Sequence, residues 1–299
     1  MRVAVLGAGA YGRAIHAIAA QNGEAVLLGR RSENGAVSDW AAELPKAEMV
    51  AMAVPAQATR AALTECVSML QPDAPIVLLA KGVETTSGAL QTEIALECAP
   101  GHPLAVLTGP SFASEMLDGL PTAVTIASTN AEAGEAAQNR LAAKTFRPYL
   151  TDDVIGAQIG GALKNVIAIA CGAAIGRGLG ESARAALMTR GFAEMSRLAL
   201  ARGARLETLA GLSGLGDLAL TCASAKSRNF AFGLALGEGR LAPGATYEGV
   251  ATASASSKLA QSLNVEAPIV EAVAALVTGQ TDVDGVMQAL LARPLRREG

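Results

Sequence analysis

The sequence predicts an α/β fold: a doubly wound sheet in residues 1–150, followed by an all-helical half in residues 151–299. Three observations predict it. In the first half, short apolar runs alternate with stretches of helical spacing, the pattern of strand–helix–strand units joined by right-handed crossovers. After about residue 151 this alternation gives way to long helical stretches with no convincing β run. Finally, hydrophobic residues make up 51% of the 299 residues and aromatics only 3%. The core must therefore be built from Ala, Val, Ile and Leu, which argues against disorder and against an all-β sandwich.

Taken in order, residues 2–6 are an apolar run that breaks at Gly7, and residues 10–21 follow with helical spacing. Residues 25–28 are the next strand. Residues 48–54 are another, stopped at Pro55, which suits the first turn of a helix reaching about residue 70. Residues 75–80 and 104–108 are wholly apolar, the kind of strand buried in a parallel sheet. Residues 122–127 and 145–149 are two weaker strands with a short helix between them. In the second half, residues 152–175 and 181–201 read as long helices. Shorter ones are expected at 217–222, 228–237, 252–263, 268–278 and 282–291, with Gly, Pro or Asn between most of them. No repeat or low-complexity linker separates the halves, so they are expected to pack closely.

Composition excludes several classes of function. A net charge of −3 gives no general attraction to nucleic acid or to an anionic membrane. Cys66, Cys98, Cys171 and Cys222 form no C-x-x-C pair, and with only His16 and His102 they offer no zinc spacing. Free thiols in a reducing cytoplasm are the expectation. The longest apolar run, residues 166–175, is about half of what a spanning helix needs, and the opening residues are too short for a signal peptide. Bases usable near neutral pH are scarce: two histidines and six lysines, of which Lys81 follows an apolar strand and Lys164 lies in the most apolar helix.

Gly7-Ala8-Gly9-Ala10-Tyr11-Gly12 is a G-x-G-x-x-G between the first strand and the first helix. Gly7 allows the tight turn, Gly9 lets the backbone approach a pyrophosphate, and Gly12 lets helix and strand pack closely. The helix N-terminus attracts phosphate. This pattern in this setting predicts a Rossmann-type dinucleotide site. The second strand ends in Gly29-Arg30-Arg31, where an acidic residue would hold the adenosine ribose of NAD. Arginines suit the 2′-phosphate of NADP, unless they are simply solvated on a loop. Other strand ends, at Lys81-Gly82 and Gly109-Pro110-Ser111, line the side of an open sheet on which ligands bind.

Small or apolar residues surround Lys164 on its helical face: Gly160, Gly161, Ile167 and Ala168. A lysine so placed either titrates towards neutrality, as a general acid or base requires, or snorkels out to water. Asp217 follows a glycine-rich turn at the start of a short helix, where it either caps the helix or holds Lys164 by its charge. Ser227-Arg228-Asn229 opens another helix and forms either an anion site or an ordinary capped surface turn.

Together these segments resemble the bacterial-type NAD(P)-dependent glycerol-3-phosphate dehydrogenases. The resemblance runs through Gly7 to Gly12, Lys81-Gly82, Gly109-Pro110-Ser111-Phe112-Ala113-Ser114-Glu115 and Gly119-Leu120-Pro121-Thr122-Ala123. It continues through Gly160-Gly161-Ala162-Leu163-Lys164-Asn165-Val166-Ile167-Ala168 and Thr189-Arg190-Gly191. Gly214-Leu215-Gly216-Asp217-Leu218, Thr221-Cys222, Ser227-Arg228-Asn229 and Glu248-Gly249 complete it.

The resemblance implies reversible hydride transfer between NAD(P)H and dihydroxyacetone phosphate to give sn-glycerol 3-phosphate, a precursor of glycerophospholipids. It implies that Lys164 is the proton donor and acceptor, with Asp217 beside it, and that Lys81 contacts both substrate and cofactor. Gly109, Ser111, Ser227, Arg228 and Asn229 match substrate positions. Ala10, Tyr11, Arg30, Ala113, Glu248 and again Arg228 match cofactor positions. A cytoplasmic enzyme, acting on a small molecule and forming a homodimer, is the matching expectation. The chain departs from the family between Arg31 and Lys46, where it is about twenty residues shorter; a helix and a small strand beyond the second β-strand are expected to be trimmed, which bears on the adenosine contacts and on dimerisation through that region. Two other readings share the fold: a ketopantoate-like or β-hydroxyacid dehydrogenase, and a non-catalytic dinucleotide sensor.

Overall fold

The computed structural model describes residues 1–31, 35–240 and 247–292. Its strands are β1 (Val3–Leu6), β2 (Ala25–Leu28), β3 (Met49–Met52), β4 (Ile76–Leu78), β5 (Leu104–Thr108), β6 (Thr122–Ala127) and β7 (Phe146–Thr151). Around them lie α1 (Ala10–Ala19), α2 (Trp40–Glu43), α3 (Thr59–Cys66), α4 (Gln91–Cys98), α5 (Ala113–Leu117) and α6 (Ala131–Leu141). From Val154 onwards the described elements are all helices: α7 (Val154–Gly176), α8 (Gly180–Ala201), α9 (Leu206–Ala210), α10 (Asp217–Cys222), α11 (Arg228–Gly237), α12 (Glu248–Ser262), α13 (Pro268–Val277) and α14 (Val283–Leu291).

The seven strands form one sheet in the order β2-β1-β3-β4-β5-β6-β7. Because alternate residues of a strand face opposite sides, Val3 and Val5 pack with Ile15 and Ile18 of α1. Ala4 and Leu6 pack with Ala62 and Leu63 of α3 on the other side. Helices on both faces leave β1, β3 and β4 no wet side, which is why they read as unbroken apolar runs, whereas β7 at the edge leaves Arg147 and Tyr149 exposed.

All seven expected strands are present, but one feature of the sheet was not foreseen. β5 pairs with β6 antiparallel, while β6 pairs with β7 parallel, so the last two strands run against the other five. The cause lies in the connection. Its only helix, α5, has five residues and rises about 7 Å, too little to carry the chain back along β5. The chain therefore re-enters the sheet from the end at which it left. Also unforeseen were α2, α4, α5 and α9, all short, and a π-helical turn over Leu212–Gly216 leading into Asp217.

The short link from β2 to β3 holds α2 and a single bridge between Leu28 and Val37; residues 32–34 of it lie outside the described residues. β2 is thus an edge strand.

α7 is the centre of the second half. Asp153 caps it by accepting from Gly156 N–H at 2.8 Å. It packs against α8, α10, α11, α12, α13 and β5. It is long and apolar enough to cross a membrane, yet 83% of its most apolar window is buried inside the protein. A helix enclosed on every side has to be apolar all round, and Val166, Ile167, Ala168 and Ile169 are fully buried.

Candidate active site

The carboxyl ends of β4 and β5 meet α1, α7 and α10 at one buried polar cluster. Lys81, three residues past the end of β4, donates from Nζ to the Gly109 carbonyl at 2.8 Å and to Asp217 Oδ2 at 2.9 Å. Lys164, on α7, donates to the other carboxylate oxygen, Asp217 Oδ1, at 2.8 Å and to Thr221 Oγ1 at 2.9 Å. One carboxylate thus bridges two ammonium groups. Ser111 Oγ donates to the Gly109 carbonyl at 2.9 Å and lies 3.0 Å from the Tyr11 hydroxyl, so the chain reaches the glycine-rich turn. Lys81 Nζ also sits 5.7 Å from the centre of the Tyr11 ring, within cation–π range.

Burial sets the electrostatics. The Lys164 ammonium is pushed below its usual pKa first by desolvation, with the charge of Lys81 adding to it; the carboxylate of Asp217 only partly offsets this. For Asp217, burial acts upwards, but the charges and hydrogen bonds of both lysines outweigh it and hold the carboxyl below its ordinary range. The Tyr11 phenol is pushed up to about 12, mainly by burial, so it remains a donor at neutral pH. Burial also lifts the Glu248 carboxyl above its ordinary range, and Lys164, Lys81 and Arg228 offset this only in part.

The choice between a capping and a tethering Asp217 is decided by these distances. Gly216 occupies the cap position of α10, and the Asp217 side chain is used on the lysines. Lys164 does not snorkel: only 8% of the residue is exposed.

A second chain of bonds ties the cluster to the other helices. Asn165 Nδ2 donates to the Lys81 carbonyl at 3.1 Å, Asn229 Nδ2 donates to Asn165 Oδ1 at 2.9 Å, and Gly249 N–H donates to Asn229 Oδ1 at 3.0 Å. The Asn229 amide is therefore held by α7 and α12 rather than turned freely to the crevice. Ser227 caps α11, accepting from Phe230 N–H at 3.3 Å, and Arg228 stands exposed beside it. Ala10 and Ala113 open α1 and α5. Arg30 and Arg31 lie apart from the cluster, exposed at the end of β2. Thr221 and Asn165 were assigned no role from sequence. The spacing Asp217…Thr221 is the one signal that could have found Thr221, since residues four apart share a helix face.

The glycine-rich turn fits a dinucleotide. Gly7 has φ +121°, and a side chain on it would strike the Ala53 carbonyl at 2.4 Å. At Gly9 a side chain would meet nothing within 4 Å, so the space over the turn is open. Gly9 also begins α1 without a side-chain cap. Open space above an uncapped helix N-terminus is what a pyrophosphate requires.

Known proteins resemble the chain along nearly its whole length. The C-terminal part of the NAD-dependent glycerol-3-phosphate dehydrogenase family matches residues 153–288, and its N-terminal part matches residues 32–134. The glycerol-3-phosphate dehydrogenase [NAD(P)+] of Caulobacter vibrioides is 47% identical over 99% of this chain and 98% of that protein. The chain belongs to the glycerol-3-phosphate dehydrogenase family. The Brucella ovis member is 46% identical over 99% of each chain. The crystal structure of the Coxiella burnetii glycerol-3-phosphate dehydrogenase superposes with a TM-score of 0.93, at 35% identity, over 98% of this chain and 99% of that one. The match to Caulobacter extends over 327 aligned residues against 299 here, so that family member carries segments this chain lacks.

Proposed function

We propose that this protein interconverts dihydroxyacetone phosphate and sn-glycerol 3-phosphate using NADPH or NADH, feeding glycerophospholipid synthesis. The observation that carries the reading is Lys164: a buried ammonium held 2.8 Å from Asp217, on a chain that aligns end to end with dehydrogenases named for this reaction. Bound NAD(P)H supplies the hydride. The protein's own part is to bind phosphate, orient the carbonyl and move one proton.

Arg228 and the N-terminus of α11 attract the substrate phosphate, a pairing that favours a dianion over a carboxylate. Gly109, Ser111, Ser227 and Asn229 shape the pocket around it. Lys81 and Lys164 face the C2 oxygen. In reduction, the Lys164 ammonium protonates the developing alkoxide. In oxidation, the neutral amine takes the hydroxyl proton. Its lowered pKa eases loss of the proton relative to an ordinary lysine, and Asp217 with Thr221 holds Nζ in place for either step. On the cofactor side, Gly7, Gly9, Ala10, Tyr11 and Gly12 hold the pyrophosphate end, with Ala113 and Glu248 further along. Arg30 and Arg31 favour NADP.

In this reading residues 1–150 form the dinucleotide-binding domain and residues 151–299 the substrate-binding domain of a cytoplasmic homodimer. The test is dihydroxyacetone phosphate reduction followed by absorbance, with NADPH and NADH in parallel. Turnover with both coenzymes, faster with NADPH, is expected. Faster reduction of a non-phosphorylated ketoacid would sink the assignment.

A further inference from the structure

We infer that Glu65 and Trp40 hold Arg30 in a resting position and thereby set how strongly this site prefers a 2′-phosphorylated coenzyme. The inference rests on the glycine-rich turn being the dinucleotide site.

Arg30 lies two residues past the end of β2, the strand beside β1 and its glycine-rich turn. A residue there meets the adenosine ribose of a bound dinucleotide. Arg30 is already engaged, however. Its Nη2 donates to Glu65 Oε2 on α3 at 2.9 Å. Its guanidinium also lies over the ring of Trp40, 5.7 Å from the centre, within cation–π range. Trp40 is fixed in turn, because its Nε1 donates to the Gly29 carbonyl at 2.9 Å.

The ring therefore sits under the turn that carries Arg30 and stays put when Arg30 changes partner. Beside the guanidinium is a cleft of about 310 Å³, lined by Ser38, Asp39 and Met69 as well as these three residues. Asp39, which caps α2 by accepting from Ala42 N–H at 3.0 Å, adds a second acidic group to that lining.

A 2′-phosphate that takes Arg30 Nη2 or draws the guanidinium off Trp40 competes with Glu65, whereas a free 2′-hydroxyl makes no such demand. Glu65 thus weakens binding of NADP-type nucleotides and leaves NAD-type binding alone. The Arg30 and Glu65 side chains are 70% and 45% exposed, so the pair is screened by water and exchanges readily; a small, tunable penalty is the expectation. The open cleft lets the guanidinium leave without repacking the core.

The experiment measures the Kd of 2′,5′-ADP and of 5′-AMP by calorimetry, on the full chain and on Glu65→Gln. The variant should bind 2′,5′-ADP about two- to five-fold more tightly, the range a surface ion pair carries, with 5′-AMP unchanged. Trp40 is the only tryptophan, so its fluorescence should change when 2′,5′-ADP draws the guanidinium off the ring. An unchanged ratio of the two Kd values in Glu65→Gln overturns the inference, and so does tryptophan emission indifferent to saturating 2′,5′-ADP. If the wild type binds neither probe, the dinucleotide site itself is wrong and both readings fall together.

Discussion

Lys164 and Glu194 are both buried ionisable groups with displaced pKa values, yet only one of them looks like chemistry. Lys164 is 8% exposed and Glu194 2%. Burial pushes the lysine down and pushes the Glu194 carboxyl up to about 7. Their partners differ. The Glu194 carboxylate, on α8, accepts from the backbone N–H groups of Ile269 at 2.9 Å and Val270 at 3.1 Å, at the first turn of α13. Lys164 shares a carboxylate with a second lysine, at the strand ends, within one hydrogen-bonded chain of the glycine-rich turn. A shifted pKa marks a candidate site only when the group also faces a place where a ligand can sit. Glu194 fastens two helices; Lys164 meets both conditions, which is what the proposed proton transfer draws on.

The sharpest way to break this contrast is Lys164→Ala. Loss of a general acid costs about 10²–10⁴-fold in turnover, while the Kd for the coenzyme should remain nearly that of wild type, because the glycine-rich turn is untouched. In the wild type, reduction should fail as pH rises through the Lys164 pKa, which lies below the ordinary lysine value of 10.5. The loss follows the ammonium form, so the variant's residual activity should lack that limb. Retained turnover, or an unchanged pH profile, would remove Lys164 from the mechanism.

Arg228→Leu probes the exposed rim between these two cases. Arg228 stands at the start of α11, where losing a charge-assisted bond to phosphate should raise the KM for dihydroxyacetone phosphate about tenfold or more. Because Lys164 and its partners are untouched, kcat should change far less. An unchanged KM would defeat the phosphate assignment.

The same contrast shows what the sequence could disclose. Strands were legible because burial on both faces leaves long apolar runs such as residues 104–108. The direction of β6 was not, since it depends on how little helix α5 provides. Lys164 stood out by its apolar neighbours. Asp217 did not, because a cap and a tether look alike until α7 and α10 are brought together. Thr221 and Asn165 lie deeper still: their roles depend on partners 57 and 84 residues away along the chain. Glu194 gave no sign, since what satisfies it is backbone, which any sequence supplies.

Glu194→Gln is the gentlest test and the converse of the first. The native carboxyl, at about 7, binds its proton more tightly than the ordinary group at 4.5. Its contribution to stability is therefore fully present below the lower value and is lost as pH rises towards the upper one. A glutamine stays neutral throughout and can still accept from Ile269 N–H, so the variant's melting temperature should lack that decline. The difference should amount to a few degrees. The readout is the slope with pH, not the absolute Tm, because the amide nitrogen opposite Val270 N–H costs some stability at every pH. Turnover should be unaffected. Equal slopes in the two proteins would mean that Glu194 is charged in the folded state at low pH, with the α13 amides outweighing its burial. A large loss of turnover would mean that the two buried groups are not as separate as their partners make them.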